Sequence, residues 1–198
     1  MIEAPRPRRL AAVVLLAALL AAGQAGSTTV VSMTFDELLA GAEEAFLGQV
    51  VDQRSEWEQT RSGRAIVTLV TFRVERVLKG SPRIQAALEF LGGTVGEDTL
   101  TVPGVPQFHI GDRDVLFLNS VIRPVSPVVG LMQGRFRVIR DPDRGVDTVR
   151  TFGGDALVSL EDIGRPAIVG RPRAGASMTL DEFVASVLER LARQSQQR

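Results

Sequence analysis

The chain has 198 residues, with 23 basic and 23 acidic side chains, one histidine, one tryptophan and no cysteine. This balance excludes the basic excess with which proteins hold phosphates, so nucleic acid is not an expected partner. The missing thiol excludes disulfides, a lipid attached through cysteine, and cysteine-based zinc sites.

Residues 1–25 read as a cleaved signal peptide. Arg6, Arg8 and Arg9 precede an unbroken apolar run over residues 10–22, and Gly23 and Ala25 take the −3 and −1 positions of a cleavage point. The run is shorter than the ~20 residues of a membrane-spanning helix. The Arg8-Arg9 pair raises the twin-arginine route, but its surroundings suit general secretion better. The expected product is a soluble protein exported to the periplasm or medium, with no membrane span after cleavage. Without residues 1–25, 20 basic and 22 acidic residues remain, a net charge of −2. The remainder is of single-domain size.

Thr34 and Glu37, and again Thr179 and Glu182, have the spacing of a capping box, with Met33 and Met178 placed as hydrophobic staples to Leu38 and Phe183. The first helix is expected to be short, ending near residues 41–45. The second runs to about residue 193, with Leu180, Phe183, Val184, Val187, Leu188 and Leu191 at helical spacing. Between the helices the pattern is β. A short strand is expected over 45–51, then a polar turn or loop over 52–64, then a long strand over 65–78. In that strand Val70, Phe72 and Val74 alternate with Thr71, Arg73 and Glu75, and the phase slips near Glu75-Arg76 as at a bulge. Ile84, Ala86, Leu88 and Phe90 line one face of the next strand.

A Gly/Pro-rich connection covers 92–111, with a short pairing segment at 99–102. The apolar run over 114–118 reads as a central strand covered on both faces. Strands are expected at 128–132 and 135–140, and a hairpin turn at 141–145 leads into a strand over 146–152. These elements predict a mainly β fold, a small OB-like barrel, closed or partly open, with a short N-terminal helix and a C-terminal amphipathic helix. The expected domains are the barrel over 26–152, a Gly/Pro-containing tether over 153–177, and the helix over 178–198 packing on the barrel.

The strings Glu44-Ala45-Phe46-Leu47-Gly48-Gln49-Val50, Thr71-Phe72-Arg73-Val74-Glu75-Arg76-Val77-Leu78-Lys79-Gly80 and Gly104-Val105-Pro106-Gln107-Phe108, with Gly111-Asp112, resemble exported bacterial domains of the netrin-like type. Val129-Gly130-Leu131-Met132-Gln133-Gly134-Arg135-Phe136-Arg137-Val138 is similar to the late barrel strands of that group. The resemblance covers about residues 34–152 and implies the OB-type barrel shared with tissue inhibitors of metalloproteinases. In those inhibitors an N-terminal cysteine chelates the protease's zinc. This chain has no cysteine, so that mechanism does not carry over.

His109, the one histidine, has no G-x-S-x-G serine to serve as a base and reads as structural or surface-placed. Asp141, Asp143, Gly145 and Asp147 resemble the start of a calcium loop, yet loop position 12 is Phe152 rather than the bidentate glutamate such a loop needs. The Gly92-Gly93-Thr94-Val95-Gly96 run lacks the Lys-Ser/Thr end of a phosphate loop. No metal or cofactor is therefore expected. Trp57 and Phe108 are the candidate partner-binding residues, within a contact surface made of 52–64 and 92–111. The expected function is non-enzymatic binding of a protein, peptide or glycan outside the cytoplasm. The alternatives are a hydrolase using carboxylates alone, and a cysteine-independent partner or inhibitor of a secreted protease. The paired acids Glu43 and Glu44 read as the solvated face of the first helix.

Overall fold

The computed structural model describes residues 31–60, 63–120, 125–165 and 177–196. The expected signal peptide and residues 166–176 of the expected tether lie outside the described residues. The elements run α1 (Phe35–Gly41), β1 (Glu44–Thr60), β2 (Gly63–Lys79), β3 (Gln85–Leu91), β4 (Gly93–Val95), β5 (Asp98–Leu100), β6 (Arg113–Leu118), β7 (Arg135–Asp141), β8 (Val146–Arg150) and α2 (Leu180–Gln196). All belong to one compact unit that begins at Ser32. The fold is mainly β, with the expected short helix before the strands and an amphipathic helix after them.

Six strands form an antiparallel sheet in the order β3-β2-β1-β6-β7-β8, and β4-β5 is a separate hairpin. Of the closed and partly open forms expected, the chain takes the open one. β1 holds the sheet together, pairing with β2 over its whole length and with β6 over Glu44–Gln49. Its register against β2 shifts at three places, one of which leaves Glu75 as the extra residue opposite Leu47 and Gly48. Such bulges sharpen the twist and let a long strand curl. Gly48 sits in this bend because a Cβ there would meet the Arg73 carbonyl oxygen and the Phe46 ring at 3.0 Å.

The central strands bury both faces, which explains their near-continuous apolar sequence. On one face Ala45, Leu47, Val115, Phe117 and Phe136 pack under the helices. On the other, Phe46, Val50, Phe72, Phe90, Leu116 and Leu118 fill the concave side of the sheet. Consecutive residues of β6, Val115 to Leu118, enter the two clusters alternately, as the period of a strand requires.

Both capping boxes form. Thr34 Oγ1 accepts from the Glu37 N–H at 3.3 Å while Glu37 Oε2 accepts from the Thr34 N–H at 2.7 Å. Thr179 and Glu182 repeat the pair at 3.3 and 2.8 Å. Phe35 of α1 and Phe183 of α2 lie 6.0 Å apart, and Phe183 also meets Phe136 of β7 at 5.0 Å. The single lysine, Lys79, donates to the Leu39 and Ala42 carbonyls at the end of α1, where a cation also offsets the helix dipole.

The structure corrects several expectations. Of the expected turn or loop over 52–64, residues 52–60 and 63–64 are strand, because β1 and β2 continue as a paired ribbon to Thr60↔Gly63. The β1 side of that ribbon is polar and mostly exposed, while its partner residues Ile66, Val67 and Val70 on β2 are buried. Ile84 is 83% exposed, since it precedes β3 and lies off the buried face. Residues 128–132 are turn rather than strand, joined to the sheet by one bridge, Leu118↔Val128. Leu131 there has φ 67°, the one described residue other than glycine at positive φ. Residues 153–165 are docked rather than free. Leu157 and Leu160 are buried under the helices, and the Leu157 N–H bonds to the Val149 carbonyl on the β8 edge. Glu43 and Glu44 lie past α1, and Glu44 opens β1.

Candidate functional site

The concave face of the sheet ends in a cavity of about 310 Å³. Its floor is β-sheet interior: Val70 of β2, Phe90 of β3, and Phe108, which enters from the loop before β6. Phe108 meets Phe72 edge-to-face and Phe90 at a tilt, with ring centroids 5.3 and 5.0 Å apart. Its walls come from the β1–β2 ribbon on one side and the β4–β5 hairpin with residues 101–109 on the other. The rim is polar, with Gln53, Thr94, Thr99, Thr101, Gln107 and the exposed His109. No aspartate, glutamate, lysine or arginine lines it.

Local sequence explains the shape. Thr68 falls in the inward phase of β2, two residues before Val70, and is buried. Its partner across the ribbon is Ser55, and the two hydroxyl oxygens lie 2.8 Å apart. Thr68 Oγ1 donates to the Gly92 carbonyl at 2.6 Å. The Gly92-Gly93 pair brings the hairpin backbone onto these hydroxyls. A Cβ on Gly93, at φ 137°, would meet Thr68 Oγ1 at 2.2 Å and Ser55 Oγ at 2.5 Å, so only glycine fits.

The 101–109 wall is held from behind by a buried ion pair. Arg135 of β7 donates to both oxygens of Asp114, Nε–Oδ1 2.8 Å and Nη2–Oδ2 3.1 Å. Asp114 is 0% exposed. The same guanidinium donates to Asp112 and to the Gln107 carbonyl, and its carbon lies 4.0 Å from the Phe108 ring centre. Burial pushes the Asp114 carboxyl up from its ordinary value, while the hydrogen bond and charge of Arg135 pull it down. Asp112 and Asp114 are thus both engaged by Arg135, and Asp112 also accepts from the backbone N–H of His109 at the rim.

Among the residues expected to bind a partner, Phe108 is 2% exposed and serves as cavity floor rather than as a surface anchor. Trp57 is 37% exposed and does not line the cavity. It stands two residues beyond Ser55 on the same face of β1, with Arg64 stacked 4.5 Å over its ring. His109 lies at the rim, its side chain 81% exposed and Nδ1 3.7 Å from Asp112 Oδ2. The serine in the cavity does not face a base. Because the Gly92 oxygen only accepts, Thr68 gives its proton there, and Ser55 must give its own to Thr68.

The calcium-like acids serve the hairpin. Asp141 Oδ1 accepts from the Asp143 and Arg144 N–H groups at 3.0 Å, an Asx turn. Asp147 pairs with Arg113 and Arg140, and its carboxyl lies below the ordinary range because Arg113, then Arg140, hydrogen-bond it. Among the described residues no group of three or more histidine or acidic side chains is arranged to hold a metal. Glu43 accepts from Ser120 Oγ at 2.8 Å, and Glu44 pairs with Arg83.

Gln53 and Ser55 fall within the expected contact segment 52–64 without being singled out, and Thr68 lies outside it. The available signal was Thr68, a polar side chain in the inward phase of an otherwise apolar strand face. Comparisons with protein-family models, with curated proteins and with solved structures find no match to this chain.

Proposed function

We propose that the chain is an exported, non-catalytic binding domain of the netrin-like, OB-type group, and that its ligand enters the cavity between the β1–β2 ribbon and residues 92–109. The cavity itself carries this reading. It joins an apolar floor to neutral hydrogen-bonding groups, at the lower end of the ~300–1,000 Å³ range of small-molecule sites. The curled β1, shared between β2 and β6, supports the OB-type resemblance, and such folds bind through one strand face and its loops. The internal hydroxyl chain from Ser55 to Gly92 favours binding over nucleophilic chemistry. The arginine-led, apolar N-terminal segment supports export.

The test is ligand-dependent protection. Hydrogen exchange on the full chain, with and without an envelope or medium extract fractionated by size, should slow at Gly92–Val95 and at residues 101–109. Protection confined to other surfaces, or none with any fraction, would overturn the assignment.

A further inference from the structure

We infer that the cavity takes a neutral saccharide unit, an assignment that rests on the binding reading above and names its ligand class. Three observations carry it. First, the lining holds no carboxylate, lysine or arginine, and its one imidazole, His109, sits exposed at the rim beside Asp112, so a charged ligand group reaching the floor would lose water without gaining a counter-ion there. Second, the hydroxyl chain has a fixed direction. Gly92 O is an acceptor, Thr68 donates to it, and Ser55 donates to Thr68, which leaves Ser55 Oγ with only lone pairs for a ligand. The ligand must therefore donate at that point. Third, Gln53, Thr101 and Gln107 at the rim each both donate and accept, while Val70, Phe90 and Phe108 below them are apolar. A sugar ring has that same two-faced character, with hydroxyls that donate and accept around its edge and a C–H face that packs on apolar floor.

An uncharged peptide could pair with the carboxamides of Gln53 and Gln107 equally well, but it has no C–H face edged by hydroxyls to lay on Val70, Phe90 and Phe108. The saccharide is the better match. The Arg135 pair behind the wall keeps this geometry without contributing charge to the cavity, since its guanidinium is already held by Asp112, Asp114 and the Gln107 carbonyl.

The experiment is a calorimetric titration of the full chain with cellobiose, maltose and chitobiose, with digalacturonic acid as the charged counterpart and with acetyl-Ala-Ala-Ala-amide. The expected result is saturable binding of at least one neutral disaccharide, stronger than digalacturonic acid. Ser55→Ala should weaken it about fivefold, the loss of one neutral hydrogen bond. Thr101→Val, at an exposed loop position, should weaken it similarly, and this second variant decides the matter should Ser55→Ala unfold. Binding of the tripeptide alone sinks the saccharide assignment and leaves the binding-domain reading intact. Disaccharide binding that neither variant weakens places the sugar elsewhere and overturns the cavity assignment. If no probe binds while extract still protects residues 101–109 from exchange, the ligand class is wrong. If extract gives no protection either, both readings fall.

Discussion

Arg135 and Asp114 form the part of the molecule where one side chain governs the most. Asp114 is fully enclosed, so removing its partner leaves a charge in the interior with no compensation. Arg135→Ala should therefore cost about 3–5 kcal/mol of unfolding free energy, measured by urea denaturation. The double variant Arg135→Leu with Asp114→Leu should recover much of that loss, because no buried charge remains. A double variant as unstable as the single one would show that the damage comes from the wall contacts to Gln107 and Phe108 instead. Asp147 sets a different dependence. Its carboxyl is lowered below the ordinary 3.8 by Arg113 and Arg140, so the folded chain holds fewer protons there than the unfolded one. That stability is present above pH 3.8 and is lost as pH falls through the lower folded value. Both partners are partly exposed, so the contribution is about 1 kcal/mol or less. Asp147→Asn should remove this part of the acid-induced loss, and an unchanged acid limb would count against the pairing. Asp114 has the opposite sign. Its raised value means that folding takes up a proton, and its cost is relieved as pH falls through the raised value.

At the scale of elements, the two helices depend on the same short device and on the same aromatic cluster. Thr34→Ala or Thr179→Ala should each cost about 0.5–2 kcal/mol, read as a lower Tm. Phe183→Ala should cost more, about 3–5 kcal/mol, because Phe183 is fully enclosed between Phe35 and Phe136. An effect no larger than that of the cap variants would mean that α2 is not integral to the core. The caps were legible from Thr-x-x-Glu alone because their chemistry is local. The β1–β2 ribbon was not. Gln53 to Gln59 looks like loop by composition, yet each residue has a ladder partner between Arg64 and Val70. Strand pairing depends on the other strand, and a single segment carries no record of it. The same applies to Val128–Met132, whose apolar run resembles a strand but which turns at Gly130 and Leu131, with only Val128 and Val129 buried.

For the whole molecule, the export reading predicts a mature form that begins at Gly26. Mass spectrometry of the exported chain should find that end, and an intact Met1 outside the cytoplasm would sink cleavage. The apolar periods of β6, β7 and α2, the turn at Asp141–Gly145 and the two capping boxes follow from the order of residues, because each reflects contacts within one element or one turn. So does the absence of any cysteine-based chemistry, which is a matter of composition. Tertiary structure alone decided that Ser55 and Thr68 meet across a ribbon, that Gly93 closes over them, and that Phe108 becomes floor instead of anchor. It also decided that Arg135, 21 residues from Asp114, braces the wall from behind. These contacts join segments far apart in the chain. Their energies arise from burial and from hydrogen bonds between strands, and so they exist only once the sheet has curled.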